Sequence, residues 1–244
     1  MHSYFGDTRC SFIKNVKRDF LNQPLPIKGC QVDFEISEYE DRLFVAWGID
    51  CPPKIRRAVV KRKAEFLAGR IAAGFVLSKL NLENHNITIG KNREPVWPLG
   101  INGSITHTNS KAAAIIAPDK DITFLGLDRE DWIDSRVSRE IVSSILDSYE
   151  IHQLESANTN LAHFDYNQRL TILYSAKETF FKALHPKIKS YFDFKDARVN
   201  LGVEQTDSLE ISLSRALSRD YLEGFMLPVK FKTDTESATT YIIE

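Results

Sequence analysis

Two long helical patterns, one in each half of the chain and each set among short strand patterns, constrain the fold more than any other feature. The first follows Pro52-Pro53 and spans 55–80. There Leu67, Ile71, Gly74, Phe75 and Ser78 recur at the 3.6-residue period, with small residues that let neighbouring backbone come close. The second spans 167–184, where Leu170, Leu173, Tyr174, Phe180, Phe181 and Leu184 make one apolar arc. A shorter helix is expected over 138–146. Strands are expected over 31–36 and 42–47, as a hairpin at 104–108 and 112–117 around "TNSK", and over 122–128, 197–201, 209–213, 226–232 and 239–243. Pro95 and Pro98 keep "GKNREPVWPLG" irregular. Helices and strands segregated in this way, with few βαβ alternations, favour an α+β fold over a doubly wound sheet. Pro118-Asp119-Lys120 is the expected boundary between a lobe of residues 1–117 and a lobe of residues 118–244, which admits a pseudo-symmetric pair.

Composition excludes several classes of protein. The apolar share is 43%, the charged share 27% and the net charge −1, so no global field steers the chain to nucleic acid or to an acidic membrane. The N-terminus lacks the apolar core of a signal peptide and no apolar run reaches membrane-spanning length, so a soluble cytoplasmic protein is expected. Cys10, Cys30 and Cys51 are odd in number and have no CxxC spacing, which reads as reduced thiols rather than a zinc site or disulfides. The charge is uneven, however: residues 52–70 carry seven Lys/Arg and a single acid, Glu65.

The stretch "FLGLDRED", residues 124–131, ends an apolar strand with acids two apart. Asp128 and Glu130 therefore share a face, and at roughly 5 Å their repulsion is on the order of 3 kcal/mol at an effective dielectric of about 20. An exposed strand end would tolerate this. A buried one needs a protonated acid, a base or a bound cation. With oxygen ligands alone, that cation would be hard, Mg²⁺ or Mn²⁺. On the second helix Lys177 falls inside the apolar arc and Glu178 at its edge, with Lys182 four residues on. Glu178 and Lys182 suit a surface ion pair. They equally suit a third metal carboxylate with lysines on phosphate, the equipment of phosphoryl transfer.

Cations for phosphate are also present in the first half. Arg62 and Arg70 stand two helical turns apart, Lys91 and Arg93 lie in "GKNREP", and "GSITHT" offers Ser104, Thr106 and His107. Basic helices are commonly solvated faces and a strand histidine is commonly a core residue, so neither decides alone. There is no GxxxxGK[ST], GxGxxG or GxSxG, and the P-loop, Rossmann and serine-hydrolase classes lack their signatures.

Taken in order, "RKAEFLAGRIAA", "KNREPVWPLGINGSITHT", "GLDRED" and "YSAKETFFKA" resemble the four motifs of the surfactin/enterobactin-type 4′-phosphopantetheinyl transferases, and their wording resembles the enterobactin branch most. The resemblance covers roughly residues 61–200. Leu127, Tyr174 and Thr179 depart from the usual residues without removing a charge. It implies two pseudo-twofold-related lobes with coenzyme A in the cleft between them, and transfer of the phosphopantetheine arm to a serine of an apo acyl, aryl or peptidyl carrier protein. Carried over by position, Asp128, Glu130 and Glu178 would hold Mg²⁺, with Mn²⁺ as substitute. Glu178 would take the serine proton and Lys182 would neutralise the leaving phosphate. Arg62, Arg70 and His107 would bind coenzyme A phosphates, chiefly the 3′-phosphate, with Lys91 or Arg93 on the pyrophosphate. Lys177, Ser104 and Thr106 are further candidates for the same ligand. A monomer would suffice, and siderophore assembly is the expected context. A Mg²⁺-dependent phosphohydrolase using the same three carboxylates, and a non-catalytic coenzyme A- or nucleotide-binding protein that keeps only the basic cleft, stand as alternatives.

Overall fold

A computed structural model describes residues 11–24, 26–82, 86–156, 159–201 and 207–244, and Cys10 lies outside the described residues. The chain divides into two compact units, Met1–Thr123 and Phe124–Glu244, each mixing helix with antiparallel sheet as an α+β chain should. Among the described residues no helix is long and apolar enough to cross a membrane.

The first unit runs β1 (Ile13–Arg18), β2 (Lys28–Phe34), α1 (Arg42–Ala46), α2 (Pro53–Arg56), α3 (Val60–Ser78), β3 (Thr88–Ile89), β4 (Pro95–Val96), β5 (Ile101–His107) and β6 (Lys111–Pro118). Its main sheet has the order β1-β2-β6-β5, and β3 with β4 forms a separate two-stranded ribbon. The expected hairpin is β5–β6, with Ser104 opposite Ile115 and His107 opposite Ala112. The helix α3 packs on β6 and β2 through a buried row of small and apolar residues, among them Ala64, Leu67, Ala68 and Ile71. A Cβ on Gly69 of α3 would stand 3.0 Å from the Ile105 side chain, so Ile105 is on the face of β5 that meets this helix.

Several expectations change here: β1 was not expected, and the short β4 lies within the stretch expected to stay irregular. Residues 42–47 form the helix α1 rather than a strand, because Leu43, Phe44 and Trp47 are spaced for one helical face and all join the core. Phe44 anchors it, its ring 6.2 Å from that of Phe66. The long helix is also broken. Arg57 closes α2, and Val59 is extended (φ −64°, ψ 155°) before α3 begins, a conformation that suits a β-branched residue.

The second unit runs β7 (Leu125–Asp131), α4 (Ser135–Ile145), α5 (Ser148–Glu155), α6 (Tyr166–Ile188), β8 (Ala197–Asn200), β9 (Ser208–Leu213), β10 (Met226–Thr233) and β11 (Ser237–Ile243). The sheet order is β7-β11-β10-β9-β8, all antiparallel, so the last strand of the chain pairs with the first strand of the unit. A reciprocal capping box between Asp165 and Gln168 starts α6, satisfying two donors that a helix start otherwise leaves bare. The helix runs past Pro186 to Ile188, beyond the expected end at Leu184, since a proline in the last turn removes few bonds; Lys189 (φ 57°) then closes it. The short helix α5 was not expected, although Asp147 and Glu150 form a capping box that the sequence spells out.

One glycine fixes the distance between helix and strand. A Cβ on Gly126 would stand 2.3 Å from the Thr179 carbonyl oxygen, so α6 lies directly against β7 only because residue 126 has no side chain.

Candidate active site

The strand β7 aims Asp128 and Glu130 at α6, and α6 returns Glu178 and, one turn on, Lys182. Asp128 is 2% exposed. Its Oδ1 accepts from Lys182 Nζ at 2.6 Å and its Oδ2 accepts from Ser175 Oγ at 2.8 Å. Behind it the hydroxyls of Ser175, Thr240 and Thr179 form a buried chain with spacings of 2.9 and 2.6 Å. Thus Thr179, a departure from the usual Ser or Ala, joins the support of Asp128 through a hydroxyl.

The crowded acids show their strain in their proton affinities. Burial first, then the charge of Asp128, pushes the Glu130 carboxyl up to about 8, with Lys182 opposing and Glu178 adding. Burial also raises Glu178, against the pull of Lys182. Burial alone would lower Lys182, but Asp128 and Glu178 hold its ammonium above the ordinary lysine range. One of the remedies foreseen for a buried acid pair, a neighbouring base, is therefore in place: Lys182 on Asp128. Arg129 points to the other face, where it donates to Thr239 Oγ1 at 3.0 Å and pairs with Asp234. Trp132 packs against Phe164 and donates from Nε1 to the Thr235 carbonyl, a packing role.

Does this set suit a divalent cation? All the donors are carboxylate oxygens, which fits a hard ion, and three carboxylates against one ammonium leave negative charge uncompensated. Their present arrangement is a lysine-paired one: among the described residues no three carboxylate, histidine or cysteine side chains are gathered closely enough to hold a metal ion. The fit is therefore in donor type and charge. Beside Glu178, Phe181, Tyr191, Phe192 and Phe194 line an open pocket.

The assignment of Lys177 to phosphate is corrected. Its Nζ donates to Glu150 Oε2 at 2.8 Å and to the carbonyls of Ile145 and Phe194 at 3.0 Å each, and the side chain is fully buried. Three donors with three partners leave nothing for a ligand. Glu150 in turn accepts from Val199 N and Asp147 N. This pair ties α5, α6, the end of α4 and β8 together one residue before Glu178. It was missed because Glu150 lies far away in sequence.

In the first unit, α3 and β5 bring Arg62, Glu65 and His107 together. Arg62 Nη1 lies 2.7 Å from His107 Nε2. Glu65 Oε2 lies 3.7 Å from Arg62 and 3.8 Å from His107 Nδ1. Arg70 stands apart from this trio, its Nε donating to the Ile87 carbonyl and its guanidinium 4.4 Å over the Phe66 ring. Burial and the charge of Arg62 lower it to about 10. Lys91 and Arg93 are exposed between β3 and β4, where Arg93 takes φ 72°. Ser104 and Thr106 are each 3% exposed, and strand alternation puts them on the face of β5 opposite Ile105 and His107.

One buried and two half-buried acids around a lysine, on a helix pressed to an antiparallel sheet, suit an enzyme that handles phosphate esters. Comparison with known proteins names the family. A profile of the 4′-phosphopantetheinyl transferase N-terminal domain matches residues 52–117, and one of the 4′-phosphopantetheinyl transferase superfamily matches residues 124–233. The chain is 34% identical over 168 residues to enterobactin synthase component D of Salmonella typhi, covering 68% of this chain and 67% of that one. It is 35% identical over 130 residues to enterobactin synthase component D of Escherichia coli, 53% of this chain and 58% of the relative. It is 29% identical over 177 residues to 4′-phosphopantetheinyl transferase PptT of Mycobacterium tuberculosis, 72% of each. The chain belongs to the 4′-phosphopantetheinyl transferase superfamily, on the branch of enterobactin synthase component D, and is a transferase of that kind.

Proposed function

We propose that the second unit performs the transfer with Asp128, Glu130, Glu178 and Lys182. The observation that carries this is the close packing of α6 on β7, which sets Lys182 Nζ 2.6 Å from Asp128 Oδ1 with Glu130 and Glu178 beside them. Such a field favours a cation and a pyrophosphate arriving together. Mg²⁺, or Mn²⁺ in its place, held by the three carboxylates, would supply the charge that neutralises the pyrophosphate. Glu178 takes the proton of the carrier serine as the serine oxygen bonds to the pantetheine-bearing phosphorus. The phosphoanhydride bond breaks and 3′,5′-ADP leaves with the electron pair. Lys182 neutralises the charge that forms on the departing phosphate.

The aromatic pocket beside Glu178 suits the uncharged pantetheine arm. Arg62 and His107 receive the 3′-phosphate, and Lys91 and Arg93, exposed between β3 and β4, are the first unit's candidates for the pyrophosphate. Arg70 contributes long-range charge and packing, since its Nε is committed to Ile87. The natural acceptors are carrier domains of siderophore or related peptide assembly, as the names of the Salmonella and Escherichia relatives suggest. The protein acts in the cytoplasm as a monomer.

Chelation tests the charge argument. Transfer to an apo carrier is expected to stop in excess EDTA and to return when Mg²⁺ or Mn²⁺ exceeds the chelator. Undiminished turnover in EDTA, with the protein first stripped of metal, would remove the cation from the account.

A further inference from the structure

We infer that Glu65 is a positioning residue for the 3′-phosphate of coenzyme A, acting through His107 and Arg62; the inference rests on the reading that these two side chains receive that phosphate. Glu65 is the single acid in the basic run 52–70, and its side chain is only 10% exposed. A buried carboxylate is costly unless paired. Its pairing is threefold: Oε1 is 3.7 Å from Lys61 Nζ, and Oε2 is 3.7 Å from Arg62 Nη1 and 3.8 Å from His107 Nδ1. Helical spacing accounts for Lys61 and Arg62, at i−4 and i−3. It does not account for His107, which comes from β5.

The histidine gives the arrangement its direction. Arginine can only donate, so at 2.7 Å from Arg62 Nη1 the His107 Nε2 accepts. The proton of the neutral ring is then on Nδ1, the nitrogen that faces Glu65. A carboxylate behind an imidazole selects that tautomer and orientation. The same carboxylate draws Arg62 from behind. Glu65 thus holds two phosphate-seeking groups in one pose before the phosphate arrives. Its contribution is to selectivity for coenzyme A over an analogue that lacks the 3′-phosphate.

Steady-state kinetics of the full chain with coenzyme A and with 3′-dephospho-coenzyme A separate this from a structural role. In Glu65→Gln the KM for coenzyme A is expected to rise about ten-fold, with kcat unchanged. The KM for the dephospho substrate should stay at the wild-type value. His107→Ala controls for the underlying reading and should bring the two KM values together. If His107→Ala loses discrimination while Glu65→Gln keeps it, the inference about Glu65 falls and the phosphate reading stands. If His107→Ala keeps full discrimination, both fall. If Glu65→Gln impairs the two substrates alike, Glu65 is a structural residue and the inference is overturned.

Discussion

Glu178→Gln lowers kcat for transfer by about 10²- to 10⁴-fold and leaves the Kd for coenzyme A close to that of the wild type. The asymmetry follows from where Glu178 stands. It is on α6 at the rim of the aromatic pocket, next to Lys182 and facing the acids of β7, while the proposed 3′-phosphate contacts are in the first unit. Glutamine keeps the size and the hydrogen bonding but cannot take a proton. Single-turnover transfer and equilibrium binding of coenzyme A check the two halves separately. Retained turnover would remove Glu178 from the mechanism, and lost binding would make it a ligand contact instead.

The second large effect is on stability. Glu150→Ala is expected to cost about 3–5 kcal/mol and to lower the Tm by on the order of 10 °C. It leaves the Lys177 ammonium buried with two carbonyls and no counter-charge, and it strips the acceptor from Val199 N and Asp147 N. Burial already pulls Lys177 below the ordinary lysine range, and Glu150 is the group that opposes this. Replacing both residues, Glu150→Ala with Lys177→Met, removes the charges together and should cost less than the sum of the two single changes. Denaturant unfolding of the four proteins gives the coupling. Additive effects, or a single variant as stable as the wild type, would show that the pair does not anchor α6.

Much of the fold was legible in the sequence because its strongest patterns are also its core. The buried faces of α3 and α6 are the two apolar arcs, and five of the strands in the second unit and the β5–β6 hairpin lie near their expected places. The misreadings have physical causes. Residues 42–47 are rich in strand-forming side chains, but the spacing of Leu43, Phe44 and Trp47 is helical, and spacing decided the outcome. The site divides in the same way. Asp128, Glu130, Glu178 and Lys182 could be found because strand and helix periods bring them to facing surfaces. Lys177 looked like a ligand group because a lysine in an apolar arc needs an anion, and it has one; the anion is Glu150, which only tertiary structure supplies. Ser104 and Thr106 share a motif with His107 but not a face. Ser175 and Thr179 gave no charge to notice, yet their hydroxyls hold up Asp128.

The central claim is that this chain moves the phosphopantetheine arm. Intact mass spectrometry of an apo carrier domain, incubated with the protein, coenzyme A and Mg²⁺, tests it most directly. The account predicts that the carrier gains the mass of one phosphopantetheine, that 3′,5′-ADP appears in equal amount, and that a carrier with its acceptor serine changed to alanine gains nothing. An unchanged mass across aryl and peptidyl carriers, or release of phosphate without any carrier, would contradict it.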